Sequence, residues 1–283
     1  MPFYLLKKEP IAEGLRRIAH EQLDIALNNF QDESMPQHRQ VHSLRARCKK
    51  LRGLLRLVQL PMGDAFYTED QRFRAAGKAL AEHREQEVVA KTIRSLDDSN
   101  SHADFAPIQI PPDTIEDSLA ILTDCRATVD NWPLKVHGFA DLAPGFSRTY
   151  RKCLQAYDEV LRDREDANFH RLRRWAKYHW YQVRILERLH KAAIRKQRNR
   201  LRKLHLALGE AHDLAVVQTV LESPDYPDKR LLQRAVERKI ALYADAIPLC
   251  EKIFAQSADE LVADYARWWA ASVSRPIIAH HQK

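Results

Sequence analysis

Two stretches of this chain, 128 residues apart, carry basic side chains at the same helical spacing. The first is His42, Arg45, Lys49, Arg52 and Arg56, and the second is His170, Arg173, Lys177, Trp180 and Arg184. Both run at offsets 0, 3, 7, 10 and 14, and at about 100° per residue those offsets share roughly 80° of one helix face. The same shift sets Leu80-Ala81-x-x-Arg84-Glu85 over Leu208-Gly209-x-x-His212-Asp213, and Val88-Val89 over Val216-Val217. A register kept this long marks an internal duplication, so the chain must build one unit twice, each unit offering a basic face to something between them.

The unit is helical. Only 7 of 283 residues are glycine, while Leu, Ala, Arg, Lys and Glu are abundant, a composition that favours helices over turn-rich β architecture. Breaker residues divide the chain into four segments per half. They run about 10–31, 37–60, 65–96 and 113–130, then 145–163, 167–190, 191–222 and 228–271. Pro61-Met62-Gly63 ends the second segment, Asp97 to Pro112 is the longest polar linker, and Ala143-Pro144-Gly145 belongs to the connection between halves. Pro248 should kink or divide the last helix. In 37–60, Val41, Leu44, Cys48, Leu51, Leu55 and Val58 share an apolar arc beside the basic stripe, and Leu172, Ala176, His179, Val183 and Leu186 match them. Short connections between long amphipathic segments favour antiparallel neighbours. The expected fold is all-α, with two pseudo-symmetric four-helix bundles, 10–131 and 145–270, forming one domain over 10–270. Residues 271–283, with His280-His281, are expected to be a tail.

The formal charge of +8 and pI near 9.3 point to an anionic partner. Residues 34–60 hold seven Lys or Arg and no acid, and 167–206 hold thirteen against the single Glu187. Solvated helix faces usually mix signs, so two acid-free stripes imply a ligand. Arg and Lys at this spacing suit a line of phosphates, Arg through bidentate bonds and Lys as a point charge. His42 and His170 head the stripes and would contribute most when protonated, whereas His20 and His179 read as packing residues. Stripe one has no aromatic between His42 and Arg56, which favours a ligand that is phosphate throughout over one with bases to stack. The four cysteines show no C-x-x-C spacing, the N-terminus has no secretory pattern, and no apolar run is long enough for a bilayer. A cytoplasmic chain without metal or cofactor is expected.

The motif Val41-His42-Ser43-Leu44-Arg45-Ala46-Arg47-Cys48-Lys49-Lys50-Leu51-Arg52, its second copy Phe169-His170-Arg171-Leu172-Arg173-Arg174-Trp175-Ala176-Lys177, and the basic segment Gly145-Phe146-Ser147-Arg148-Thr149-Tyr150-Arg151-Lys152 resemble the CHAD family, the conserved-histidine α-helical domain. The resemblance covers about residues 10–270. It implies two bundles facing each other across a basic channel that binds inorganic polyphosphate without catalysis, in association with polyphosphate granules, granule proteins or polyphosphate-metabolising enzymes. On this reading His42, Arg45, Lys49, Arg52 and Arg56 face His170, Arg173, Lys177 and Arg184, with Lys50, Arg17, Arg148 and Arg151 as wall cations. The chain departs from the family pattern at Trp180, Tyr178 and Arg84-Glu85, so stripe one is expected to carry more of the affinity.

Nucleic acid is the main rival ligand, expected to be a weaker competitor, and an acidic protein partner is a further alternative. An HD-type metal-dependent phosphohydrolase reading rests on His212-Asp213. The duplication places Arg84-Glu85 there in the first half, an implausible metal pair, so packing is the simpler role. No E-x-E-x-K motif and no P-loop is present.

Overall fold

A computed structural model describes residues 3–6, 9–97, 110–224 and 228–273. Most of the Asp97 to Pro112 linker, His280-His281 and the Arg84 side chain lie outside the described residues. Those residues form α-helices, one short 3-10 turn at Val129–Asn131 and no strand, so the fold is all-α. The first helices are α1 (Ile11–Gln31), α2 (Gln37–Leu57), α3 (Gln59–Met62), α4 (Ala65–Ala79), α5 (Ala81–Leu96) and α6 (Pro112–Thr128). They are followed by α7 (Phe139–Arg162), α8 (Asp166–Ile185), α9 (Lys191–Leu221), α10 (Lys229–Ile253) and α11 (Ala258–Val273).

The helix period decides which faces are buried. Val41, Leu44, Cys48, Leu51, Leu55 and Val58 are all at most 2% exposed, and so are Leu172, Ala176, His179, Val183 and Leu186. Each fully buried aliphatic side chain contributes about 1.5–3 kcal/mol relative to exposure. α1 packs on α2, α2 on α4, α4 on α6, and α6 returns to α1. In the second half α7 packs on α8, α8 on α9, α9 on α10, and α11 on α7. Between these sets α2 lies against both α7 and α8, and the main apolar core draws residues from both.

Three boundaries differ from the sequence expectation. The 65–96 segment is two helices, broken at the buried Leu80, where ψ is 15°. The break turns α5 onto α9 and α10, where Val89, Ile93 and Leu96 join Leu214, Val217, Leu221, Leu231 and Ala235 in a second apolar cluster. Gly77 lies in the last turn of α4, and tertiary burial of α5 fixes the bend that follows. The repeat-related α9 runs 31 residues without interruption. α7 begins at Phe139, not 145, because the Asp141 carboxylate accepts from the His137 and Gly138 N–H groups and caps the helix ahead of Pro144. Pro144 is exposed, so the carbonyl its ring displaces can face water. Likewise α10 continues through Pro248 and stops at Phe254. There Ser257 and Glu260 form the capping box that opens α11, the Glu260 carboxylate accepting from Ser257 N (2.8 Å) while Ser257 Oγ accepts from Glu260 N (3.2 Å).

Candidate anion-binding site

α2 and α8 meet where Gly53 lies against Tyr181; a Cβ added to Gly53 would stand 3.0 Å from the Tyr181 Cβ. Gln182 Nε2, fully buried beside them, donates to Thr149 Oγ1 (2.9 Å) and to the Gly53 carbonyl (3.4 Å). The contacts around this crossing are reciprocal under the 128-residue shift. Residues 53 and 181 are each other's counterparts. Arg56 stacks over the Tyr178 ring at 4.2 Å, and the counterparts of that pair, Arg184 and Lys50, also approach one another closely enough for Arg184 to depress the Lys50 pKa.

The two stripes converge beside the crossing. Lys177 is partly buried, and burial first, then the charges of Lys49, Arg173 and Arg45, pull its pKa down to about 6. Lys49 and Lys177 are repeat counterparts, as are Arg45 and Arg173. Arg45 donates to the Gly77 carbonyl on α4. Arg173 lies against α9 near Gly209, its Nε buried without a hydrogen-bond partner, and burial lowers its pKa. The Asp213 carboxylate favours the charged forms of Arg173 and Lys177. α9 also supplies His205 and His212, both held at about 3 by burial and by neighbouring cations, among which Arg173 and Lys49 act on each ring. His205 Nδ1 and the adjacent Trp180 Nε1 are buried without hydrogen-bond partners. His170 sits at the exposed edge, its Nδ1 3.3 Å from His212 Nδ1, so one neutral ring donates to the other. Several cations and orphaned buried polar atoms thus surround one place between α2, α8 and α9, an arrangement that an anion with many acceptor oxygens would satisfy.

On one side of this cluster Arg47 and Lys50 share a single amide oxygen, Gln22 Oε1, at 3.0 and 3.1 Å. Burial, then Arg47 and Arg184, lowers Lys50 to about 7. The buried Tyr181 ring joins the two groups, since Arg184, Arg47 and Arg173 all act on its hydroxyl. The charges of Lys50 and Arg184 lie over the Phe3 ring at 5.1 and 5.2 Å.

Arg52 and Arg56 are placed differently. Both guanidinium groups fork onto the Asp70 carboxylate of α4, with four N···O separations between 2.6 and 3.1 Å. Burial alone would raise the Asp70 carboxyl, but these bonds outweigh it and hold it below the usual range. This end of stripe one therefore comes with its own anion.

The remaining sequence candidates lie apart. Arg17 is bound to Glu9, Glu21 and the Tyr4 carbonyl, which fastens the N-terminal segment to α1. Arg148 and Arg151 line a cleft of about 910 Å³ with Gln59 and Tyr67, and Arg151 pairs with Asp259 at 2.7 Å. No member of the central cluster lines that cleft. His42 is exposed and borders a larger cleft of about 1750 Å³ with Arg39, Arg47 and Lys50. His20 meets Asp130 at 2.9 Å, and His179 packs among Phe146 and Tyr150. His205 carried no signal in the repeat, because its counterpart is Gly77; only its i, i+7 spacing from His212 places both on one face of α9. His212 is turned to His170, and among the described residues no three His, Cys, Asp or Glu side chains gather as a metal site.

A family model described as CHAD domain matches residues 17–222. The chain belongs to the CHAD family. The match runs from α1 to the end of α9 and contains every cation of the central cluster. In this CHAD chain α10 and α11 lie beyond the matched region and cover α9 and α7. No curated protein and no solved structure matches the chain. No helix among the described residues is long and apolar enough to cross a membrane.

Proposed function

We propose that this CHAD chain binds inorganic polyphosphate, without chemistry of its own, in a basic groove where α2, α8 and α9 converge. The observation that carries this reading is the crowding of Arg45, Lys49, Arg173 and Lys177 around buried donors that lack partners. A cluster of like charges destabilises the empty fold, and a polyphosphate segment would supply both the opposite charge and the acceptors. The reciprocal contacts of α2 with α8 support two pseudo-symmetric four-helix halves facing one another, since residue i meeting its own counterpart is the mark of a two-fold interface. Nucleic acid is the weaker ligand on this reading. Tyr178 and Tyr181 are 5% and 3% exposed, so their faces are spent on packing and are not displayed for base stacking. Residence on cytoplasmic polyphosphate granules, beside polyphosphate-metabolising enzymes, belongs to the same proposal and draws its support from the family.

The test is competition between long-chain polyphosphate and single-stranded or duplex nucleic acid at near-physiological salt, with an Arg45→Glu/Lys49→Glu variant beside the wild type. Polyphosphate should win by about tenfold or more, a difference of about 1.4 kcal/mol, and the variant should lose it. Equal competition by nucleic acid, or undiminished binding by the variant, would reduce the stripes to a general basic surface.

A further inference from the structure

The two lateral ends of the α2/α8 crossing are repeat counterparts, yet they differ in charge. At one end Arg47 and Lys50 share a neutral amide, Gln22, and Arg184 lies with Lys50 over the Phe3 ring. At the other, Lys50 is replaced by its counterpart Tyr178, which lies flat against Arg56, and Asp70 binds Arg52 and Arg56 together. The counterpart of Asp70 is Arg198, which pairs with Glu187. The Asp70 side chain is only 16% exposed, and it presents two anionic oxygens to two guanidinium forks, as a bound phosphate would. The Arg52 and Arg56 side chains are 20% and 13% exposed, so the carboxylate occupies the space through which they could reach another anion.

We propose that Asp70 is a built-in anion that closes one end of the polyphosphate path. The groove then takes a chain end or a short segment, entered from the Arg47, Lys50 and Arg184 side, and does not let a chain run through both sides. This rests on the polyphosphate reading. It assigns Asp70 a specificity role that a packing residue would not have. Its carboxylate competes with phosphate for Arg52 and Arg56 and repels any chain that extends past Lys177.

The experiment measures affinity and its salt dependence for wild type, Asp70→Asn and Asp70→Asn/Arg56→Gln, using inorganic polyphosphates of short and long defined length. Circular dichroism melting confirms that each variant is folded. Asp70→Asn should bind long chains about tenfold more tightly, with a steeper fall in affinity as salt rises because more phosphates are neutralised. Short chains should gain less, and the double variant should lose most of the gain. Where wild type binds but Asp70→Asn binds long chains no better, or gains equally for every length, Asp70 is only a tether for α4 and the closed end is wrong while the groove stands. If wild type does not bind polyphosphate, both readings fail together. Should Asp70→Asn unfold, Asp70→Ser replaces it under the same criteria.

Discussion

At the scale of single residues the site is governed by lysines that are costly to charge. Burial and neighbouring cations pull Lys177 down to about 6 and Lys50 down to about 7, from the ordinary lysine value of 10.5. Between those values and the unfolded pKa the unfolded chain holds more protons, so the stability of the empty protein should rise with pH across that window. Below about 6 the penalty from Lys177 is fully present and no longer changes. A bound polyanion reverses the sign, because phosphate beside an ammonium favours its charged form. Binding should therefore take up protons near neutral pH and weaken as pH rises from about 6 towards 9. Calorimetry in buffers of different ionisation enthalpy reads the uptake directly; proton release, or affinity flat across that range, would remove Lys177 and Lys50 from the site. Lys177→Met follows from the same balance. It should weaken polyphosphate binding about tenfold or more while raising the melting midpoint of the empty protein at pH 7, since it removes a buried amine that folding must deprotonate at a cost, without emptying space. A variant that lost both stability and binding would make Lys177 a structural residue.

At the scale of helices, the parts legible in the sequence were those in which local pattern and tertiary burial agree. The apolar arcs of α2 and α8 could be read because every third or fourth residue is spent on the same core. The Leu80 break could not, since the nearby Gly77 lies inside α4 and the apolar cluster that α5 joins lies on α9 and α10. Pro144 sits inside α7 and so does not separate the halves, and Pro248 sits inside α10, so the last segment divides beyond it at Phe254. The division is written locally all the same, since Ser257-x-x-Glu260 has the spacing of a capping box. In the site, the repeat exposed the Arg45, Lys49, Arg173 and Lys177 group, but it could not show that Asp70 would bind Arg52 and Arg56. Sequence spacing aligns cations and says nothing of the acid that folds onto them. One glycine has a consequence at this scale. A Cβ on Gly145 would stand 2.2 Å from the Leu57 carbonyl and 2.5 Å from that of Arg56, so α7 meets the end of α2 through a bare backbone. Gly145→Ala should push α7 from α2 and cost about 1–3 kcal/mol in denaturant unfolding. The effect should reach binding too, because α7 carries the Thr149 that holds Gln182 at the crossing. A neutral Gly145→Ala would mean that the helices can part there without strain.

At the scale of the whole molecule, the two halves share too much to unfold separately. The main core takes residues from α1, α2, α4 and α6 and also from α7, α8, α9 and α11. α5 leaves the first half to complete a cluster with α9 and α10. The N-terminal segment crosses as well: Leu5 N donates to the Ile185 carbonyl at 3.0 Å, and Phe3 packs edge-on against Tyr181. Opening either half would expose apolar surface of the other, so heating should give one transition, with coincident far-ultraviolet and tryptophan signals and equal calorimetric and van 't Hoff enthalpies. The ligand adds a sharper condition. Because the proposed groove draws charge from both repeats, polyphosphate binding to the native state should move the whole transition and not one half of it. At a free ligand concentration one hundred times Kd the stabilisation is about 2.7 kcal/mol, which for a chain of this size is a rise of about 5 °C. The same shift should be smaller at high salt, where the crowded cations are screened and the polyanion binds less tightly. Two resolved transitions in the empty protein would divide the core at the α2/α8 crossing. A ligand shift confined to one of them would place the anion within a single half, leaving the facing stripes without a shared role.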